Sequence, residues 1–304
     1  MVRKMNIFVY EDSEQNVQLG ARTDEGLLYS LPYENYHRLI EVSRELDKTP
    51  LSIVQEEIKL NKPLSIPFSS LKLRVPIEAP EVWAAGVTYQ KSREARNYEA
   101  TEGKLDASTF YDKVYDAVRP ELFMKSTAAR TVGPNEEVCI RSDSQWQIPE
   151  PELGLVLSSS GEITGFTIGN DMSCRDIEGE NPLYLPQAKV WHRSCSIGPS
   201  IRLVETVKNP YDMEINCKIY RDEQQVFSGS GMISQLKRKL EELITFLVRD
   251  NDLFEGTILL TGTNIVPPND FSLQEGDRIE IEITDIGILC NTVQKIQVKT
   301  VTLG

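Results

Sequence analysis

Two short apolar segments joined by a serine-rich turn decide how the middle of this chain folds. The first starts with an acidic pair set between prolines, Pro149-Glu150-Pro151-Glu152, and continues as Leu153-Gly154-Leu155-Val156-Leu157. The turn is Ser158-Ser159-Ser160-Gly161-Glu162, and the return segment from Ile163 to Ile168 leads into Gly169-Asn170-Asp171. Apolar runs of this length on either side of a turn predict a β-hairpin.

The predicted hairpin would gather three carboxylates. Alternate residues of an extended segment project to the same side, so Glu150 and Glu152 point together. The end of the return strand lies beside the start of the outgoing one, which places Asp171 next to them. Ligation by oxygen alone suits Mg²⁺, Mn²⁺ or Ca²⁺ better than zinc or copper. From these residues alone, a solvated acidic edge remains the alternative.

The overall charge disfavours nucleic acid as a partner. The chain has 304 residues, with 33 Lys and Arg against 46 Asp and Glu, and a formal net charge of −13. Phosphate backbones are bound mainly by clustered basic residues, and the longest basic run is Lys237-Arg238-Lys239. A composition of 40% hydrophobic and 26% charged residues is ordinary for a globular protein of one large or two smaller domains.

The lack of an apolar targeting segment in this sequence and its cysteine usage predict a cytoplasmic protein. No stretch approaches the roughly 18 apolar residues of a membrane helix, and Met1-Val2-Arg3-Lys4 precedes no apolar signal segment. The cysteines are single and odd in number, which predicts reduced, mostly buried thiols: Cys139, Cys174, Cys195, Cys217 and Cys290. With only His37 and His192 present, a general base is expected to be a carboxylate or a lysine.

The pattern along the chain predicts a small N-terminal domain, residues 1–75, and a β-rich domain, residues 76–304. The first contains a strand at Ile7-Phe8-Val9-Tyr10 and a helix from Tyr33 to Leu46. The second contains a helix from Ser234 to Arg249, with Ser234 as its cap, and a series of short strands. The predicted strands are Leu153 to Leu157, Ile163 to Ile168, Ile215 to Tyr220, Ile258 to Thr261, Arg278 to Ile283 and Val293 to Lys299.

Four separated motifs resemble the fumarylacetoacetate hydrolase family. They occur in order between about Glu81 and Val293: Glu150-x-Glu152, Ile168-Gly169-Asn170-Asp171-Met172-Ser173-Cys174-Arg175-Asp176, Lys189, and Thr261-Gly262-Thr263. The resemblance implies an α+β, β-rich fold with a mixed, rolled sheet. It also implies a divalent metal, magnesium first, with Glu150, Glu152 and Asp171 as ligands.

The same resemblance implies further residues in the pocket. Lys189 becomes a pocket cation, although the residues alone favour a surface lysine. Arg175 either reaches the substrate or is a structural partner of Asp176 or the ligand carboxylates. The implied substrate-binding residues are Thr88, Ser92, Arg175 and Thr263.

One departure from the hydrolase members points to a branch that acts on sugar acids. Hydrolases carry N-Y-x-x-H, whose histidine helps to activate water, whereas Ser92 stands at that position in Gly86-Val87-Thr88-Tyr89-Gln90-Lys91-Ser92. The run Arg119-Pro120-Glu121-Leu122-Phe123 resembles the sugar-acid branch, which implies a catalytic role for Glu121. His192, beside Trp191, is expected to be structural.

The resemblance therefore implies a dehydratase for a 2-keto-3-deoxy sugar acid, for example one that converts 2-keto-3-deoxy-arabinonate to 2,5-dioxopentanoate. Glu121 and Lys189 would act as acid and base, in an order that the sequence leaves open. The family implies a homodimer or homotetramer with a small 2-keto acid as substrate. Open alternatives are a C–C hydrolase or decarboxylase of acylpyruvate type, a non-catalytic metal- or sugar-acid-binding protein, and an acidic scaffold with solvated carboxylates.

Overall fold

The computed structural model describes residues 4–101 and 110–296, and strands dominate this part of the chain. The strands are β1 (Met5–Glu11), β2 (Val17–Thr23), β3 (Leu28–Leu31), β4 (Lys72–Arg74), β5 (Glu81–Gly86), β6 (Glu121–Thr127), β7 (Thr131–Val132), β8 (Glu137–Ile140), β9 (Gln147–Ile148), β10 (Pro151–Leu157), β11 (Ile163–Asp171), β12 (Ser173–Cys174), β13 (Cys195–Leu203), β14 (Glu214–Arg221), β15 (Gln224–Met232), β16 (Thr257–Leu260), β17 (Arg278–Ile283) and β18 (Gly287–Lys295). The helices are α1 (Tyr36–Glu45), α2 (Pro50–Leu60), α3 (Gln90–Thr101), α4 (Phe110–Asp116), α5 (Arg175–Glu180), α6 (Leu185–Lys189) and α7 (Leu240–Val248). The predicted β-rich α+β fold is confirmed.

The hairpin predicted around residues 158–162 lies in the middle of the largest sheet. That sheet has the strand order β3-β2-β1-β13-β11-β10-β16-β5-β6, with β4 beside β1 and β7 beside β13. Most neighbours are antiparallel, but β16 is parallel to β5 and β13 is parallel to β7. The sheet is therefore mixed, as the sequence predicted.

Apolar cores cover both faces of β10. Leu153, Leu155 and Leu157 pack in one core with residues of a second sheet, which has the order β15-β14-β17-β18-β8. Val156 faces the opposite core, which includes Leu39 of α1. Because both faces are buried, β10 is a near-continuous apolar run rather than an alternating one.

The N-terminal segment shares this large sheet. Asn6 and Ile7 of β1 pair with Arg202 and Ile201 of β13. Helices α1 and α2 add to the same core as β13 and β16. Strand pairing thus crosses the boundary predicted between residues 1–75 and 76–304, and the division into two domains stays a prediction.

The predicted helix from Ser234 to Arg249 is wrong at its start. Helix α7 begins at Leu240, and Ser234 lies in a separate 3₁₀ turn. Tertiary contacts divert the chain in between: the Lys237 amide donates to the Thr88 carbonyl at 3.0 Å, and the Arg238 guanidinium donates to carbonyls at residues 117 and 118. These contacts override the apolar spacing, and Leu236 is still buried with an extended backbone.

The other predicted elements differ mainly in their bounds. Helix α1 is shorter than predicted because the Asn35 side chain caps it, accepting from the Arg38 amide at 2.9 Å. Strand β18 includes the start of the last predicted strand, whose residues 297–299 lie outside the described part of the chain. No helix in residues 4–101 or 110–296 is long and apolar enough to cross a membrane.

Candidate active site

The hairpin of β10 and β11 brings three carboxylates together. Glu152 lies opposite Gly169, and the Asp171 amide donates to the Glu150 carbonyl at 2.9 Å. One carboxylate oxygen each from Glu150, Glu152 and Asp171 lies within 4.8 Å of the others. These residues, the carboxylate cluster, are 8%, 2% and 1% exposed. The solvated acidic edge and the scaffold with solvated carboxylates are therefore wrong.

Two buried lysines compensate the charge of the carboxylate cluster. Lys189, at the end of α6, places Nζ 2.6 Å from Glu150 Oε2 and 3.3 Å from Asp171 Oδ2. Lys125, on β6, places Nζ 2.7 Å from Asp171 Oδ1 and donates to the carbonyls of Met172 and Lys189. Two ammonium groups beside three carboxylates leave this group with an excess of negative charge.

The pKa values of the two glutamates in the cluster are shifted in opposite directions. Burial alone would raise the pKa of Glu150, but the charges of Lys189 and Arg96 outweigh burial and lower that pKa to about 2. Burial and the charges of Asp171 and Glu150 hold the pKa of Glu152 well above its ordinary value. A cation beside Glu152 would relieve this repulsion.

The turn after β16 fixes Glu152 through the backbone. The Gly262 amide donates to Glu152 Oε2 at 2.6 Å. Gly262 has a φ of +94°, and a Cβ at this position would lie 1.9 Å from Thr88 Oγ1. Both the left-handed backbone and the close approach require glycine here. The Thr261-Gly262-Thr263 motif thus contributes an amide to the cluster.

A small cavity borders this group. Its volume is about 220 Å³, and its polar wall is formed by Arg96, Glu121 and Glu178. Glu178 connects the cavity to the cluster, since its Oε1 lies 3.2 Å from Lys189 Nζ. Glu121 Oε2 is buried and accepts no hydrogen bond from the described residues. Burial raises the pKa of Glu121 against the lowering effect of Arg96.

A larger cavity lies away from these residues. It has a volume of about 790 Å³ and is lined by residues such as His37, Arg74 and Ile77. None of the site residues predicted from the sequence lines it, although the structure describes them all. Of the predicted site residues, Glu121 lines the smaller cavity.

Comparison with known proteins assigns the family. The family model for the C-terminal region of fumarylacetoacetate (FAA) hydrolase matches residues 91–294. The chain belongs to this family. The resemblance inferred from the four motifs is thereby confirmed, and the fold predicted with it agrees with the solved structures described next.

Relatives within the fumarylacetoacetate hydrolase family include two dehydratases. The chain is 47% identical over 231 residues to the 2-dehydro-3-deoxy-D-arabinonate dehydratase of Saccharolobus solfataricus, covering 76% of this chain and 77% of the relative. It is 48% identical over 219 residues to a probable 2-keto-3-deoxyxylonate dehydratase of Haloferax volcanii, covering 72% and 74%. A solved structure of 2-keto-3-deoxy-D-arabinonate dehydratase with magnesium and 2,5-dioxopentanoate matches with a TM-score of 0.81 and 37% identity, covering 97% of this chain and 100% of that one.

The hydroxyl groups predicted to bind substrate make internal hydrogen bonds in this family member. Thr88 Oγ1 donates to the Thr261 carbonyl at 2.7 Å, and Thr263 Oγ1 donates to the Ile265 carbonyl at 3.2 Å. Ser92 Oγ donates to the Tyr89 carbonyl at 2.8 Å, at the start of α3. Thr88 and Thr263 shape the turn beside Glu152, and the substrate-binding roles of all three stay predictions.

Arg175 forms its ion pair with Glu99, which is neither Asp176 nor a ligand carboxylate, the structural partners that the sequence left open. Its Nε lies 3.0 Å from Glu99 Oε1, and its guanidinium lies 5.6 Å from the centre of the Trp146 ring. Burial raises the pKa of Glu99 to about 8, although Arg175 acts to lower it. Asp176 instead accepts from Ser144 Oγ at 2.6 Å, so the predicted pairing of Arg175 with Asp176 is wrong. Substrate binding by Arg175 remains a prediction.

Sequence reasoning did not find Lys125, Arg96, Glu99 or Glu178 as site residues. Lys125 carried a detectable signal, because it alternates with Glu121 and Phe123 on one side of strand β6. The other three lie on α3 and α5, and only the folded chain brings them to the site. His192 is exposed, and the structural role expected for it stays a prediction.

Proposed function

We propose that this member of the fumarylacetoacetate hydrolase family is a magnesium-dependent dehydratase of a 2-keto-3-deoxy sugar acid. The observation that carries the proposal is the buried carboxylate cluster, with Lys189 in contact with it and Glu121 in the adjoining cavity. The two dehydratase relatives, at 47% and 48% identity, support this reaction class. We take the conversion of 2-keto-3-deoxy-arabinonate to 2,5-dioxopentanoate as the specific candidate reaction.

The donor set fits a magnesium ion. Three carboxylates converge without a histidine or thiolate among them, and oxygen ligands are what Mg²⁺ prefers. Burial and the carboxylates of Asp171 and Glu150 raise the pKa of Glu152, and a bound cation would lower it. Glu150, Glu152 and Asp171 would hold the ion. When bound, Mg²⁺ would act as a Lewis acid that polarises the carboxylate and keto oxygen of a 2-keto acid and makes its C3 protons more acidic.

Lys189 places a buried positive charge beside the carboxylate cluster, where a substrate oxygen would gain negative charge. Burial opposes its positive charge, but the carboxylates of Asp171, Glu150 and Glu178 outweigh burial and raise its pKa above the ordinary value. Lys189 therefore stays protonated at neutral pH. Glu121, whose Oε2 has no hydrogen-bond partner among the described residues, is the group that can take up and return a proton.

The reaction balances with these two residues. Glu121 takes a C3 proton and gives a proton to the C4 hydroxyl as the C4–O bond breaks, so that water leaves. Glu121 then takes a C5 proton from the resulting 2-keto-3-enoate, and a solvent-exchanged proton enters at C3, which moves the double bond to C4 and C5. This enol gains a proton at C4 as its hydroxyl becomes the C5 aldehyde. No oxidant or reductant is needed.

Hydrolysis of a carbon–carbon bond is less well supported. It requires a base that deprotonates water, and the histidine of hydrolase members is replaced by Ser92. The Ser92 hydroxyl is already bonded to the backbone of Tyr89, and His192 is exposed. The described site therefore offers no imidazole for that step.

A substrate screen tests the proposal. Metal-free protein would be incubated with 2-keto-3-deoxy sugar acids and with an acylpyruvate, each with and without Mg²⁺, and the products identified by mass spectrometry. We expect loss of one water from a sugar acid only when Mg²⁺ is present. Cleavage of the acylpyruvate would favour the hydrolase, and tight binding without any turnover would favour a non-catalytic binding protein.

Assembly, compartment and alternative ions belong to the same proposal. We infer a homodimer or homotetramer, which light scattering would detect. A reducing cytoplasm suits the cysteines, which are free, with Cys139, Cys174, Cys195 and Cys217 buried. Mn²⁺ and Ca²⁺ share the oxygen preference of Mg²⁺ and should be compared with it in the same assay.

A further inference from the structure

Arg96 and Glu178 form a buried ion pair between the cavity and the catalytic lysine. Arg96 Nη1 lies 3.0 Å from Glu178 Oε2, and Glu178 Oε1 lies 3.2 Å from Lys189 Nζ. We propose that this pair binds the terminal hydroxyl of the sugar acid and makes the enzyme specific for substrates that carry one. The inference rests on the proposed function, which places the keto acid end of the substrate at the carboxylate cluster.

The order of contacts gives the direction of the substrate. Lys189 contacts Glu150 of the carboxylate cluster with the same Nζ that contacts Glu178. Glu178 in turn contacts Arg96, and both line the cavity of about 220 Å³. A substrate whose C1 and C2 oxygens lie at the cluster therefore has C3 and C4 near Lys189 and Glu121, and its far end at Arg96 and Glu178.

The pair retains the capacity to bind a hydroxyl group. Arg96 and Glu178 are 5% and 1% exposed. Each Glu178 oxygen lies in one ion pair, 3.0 Å from Arg96 Nη1 or 3.2 Å from Lys189 Nζ, and a carboxylate oxygen can accept a second hydrogen bond. A ligand hydroxyl that enters the cavity can donate to this carboxylate.

The chemistry of the sugar acid identifies which hydroxyl this is. The C4 hydroxyl leaves as water, whereas the C5 hydroxyl oxygen is retained and becomes the aldehyde oxygen. The rest of the cavity wall is aliphatic and includes Val114, Leu183 and Leu185, which suits the C–H groups of the same chain. A site built to hydrogen-bond a hydroxyl discriminates against an analogue that lacks it.

Two unreactive ligands test the inference by binding alone. Both 5-hydroxy-2-oxopentanoate and 2-oxopentanoate lack the C4 hydroxyl and cannot be dehydrated, and they differ only at C5. Isothermal titration calorimetry on the magnesium-loaded protein should show at least roughly 10-fold tighter binding of the hydroxylated ligand. Equal affinities for the unaltered protein would overturn the inference.

Variants assign the preference to the pair. Arg96→Met and Glu178→Gln should bring the affinity ratio close to one when both ligands are titrated at saturating Mg²⁺. Arg96→Lys, which keeps the charge, carries the test if Arg96→Met does not fold. Arg44→Met removes a surface ion pair with Glu255 and should keep the full ratio. A ratio retained in the Arg96 and Glu178 variants would overturn the inference.

Catalysis and recognition fail separately in this design. A protein that prefers the hydroxylated ligand through Arg96 and Glu178, yet dehydrates no sugar acid, would refute the proposed function and support the inference. A protein that dehydrates the pentonate and binds both unreactive ligands equally would support the proposed function and refute the inference about Arg96 and Glu178.

Discussion

Gly86 lies directly opposite Glu121 in the antiparallel pairing of β5 and β6, and a Cβ at Gly86 would lie 2.1 Å from Glu121 Oε2. The glycine therefore leaves the space that the Glu121 carboxylate occupies. Since that carboxylate is a side-chain end, an added methyl group would displace it rather than prevent the strands from pairing.

We expect Gly86→Ala to lower kcat for dehydration by about 10- to 100-fold, because displacement of a general acid or base removes part of its contribution of roughly 10²- to 10⁴-fold. Glu121→Gln sets the full loss for comparison. Mg²⁺ affinity, measured by calorimetry, should be unchanged in both. Full activity in Gly86→Ala together with inactivity in Glu121→Gln would show that the position of the carboxylate is not set by this glycine.

Neutralising the carboxylate cluster should weaken metal binding. In Glu152→Gln or Asp171→Asn an anionic ligand is lost while the side-chain shape is kept, so Mg²⁺ affinity should fall by at least about 10-fold. Calorimetric titration of metal-free protein measures this directly. Glu162→Gln, in the hairpin turn, is the matched control on an exposed carboxylate and should bind Mg²⁺ normally. If Glu152→Gln and Asp171→Asn bound Mg²⁺ as tightly as the unaltered protein, the carboxylate cluster would not be the metal site.

Lys125 is predicted to be a structural requirement of the site. Lys125→Met leaves the buried Asp171 carboxylate without one of its cations and removes the donor to two backbone carbonyls. Breaking a buried pair in this way costs about 3–5 kcal/mol in the free energy of unfolding. Urea denaturation would measure it, with Arg44→Met at an exposed pair expected to cost at most about 1 kcal/mol. Equal, small losses in both would contradict a structural role for Lys125.

The acid limb of the rate profile should report Glu121. An ordinary glutamate has a pKa of about 4.3. Burial raises the pKa of the Glu121 carboxyl, so this carboxyl remains protonated to a higher pH than an ordinary glutamate. A protonated Glu121 cannot take the C3 proton, and kcat/KM at saturating Mg²⁺ should fall as the pH decreases through that raised value. The limb should be absent from the residual activity of Glu121→Gln. An identical limb in that variant would assign it to another group.

The hairpin and its carboxylates could be predicted from the sequence because the information is local. The turn at residues 158–162 folds β11 back on β10, and beyond a β-bulge at Val156 and Leu157 the pairing places Asp171 beside Glu150 and Glu152. The charge environment of the cluster is not local. Lys125 reaches Asp171 across 46 positions of sequence, and its partners are set by how β6 packs beside α6 and β12.

Tertiary contacts also explain why helix α7 starts later than predicted. The leucines from Leu236 onward keep their apolar face buried, but the Lys237 amide bonds to the Thr88 carbonyl, and the helix starts later as a result. Apolar spacing identifies a buried face and does not exclude an extended backbone within it. The catalytic roles of Glu121 and Lys189 are predicted only from the family resemblance, because a glutamate after a proline and a single lysine form no distinctive pattern.

The identity and labelling of the product test most directly whether the protein is a dehydratase. Magnesium-loaded protein would be incubated with 2-keto-3-deoxy-arabinonate in D₂O and the products examined by ¹³C and ¹H nuclear magnetic resonance. We expect 2,5-dioxopentanoate with deuterium at C3 and C4, because deuterium from solvent-exchangeable groups enters both carbons after water is lost. Pyruvate and glycolaldehyde, which require a broken carbon–carbon bond, or dioxo product without deuterium at C3, would contradict this expectation.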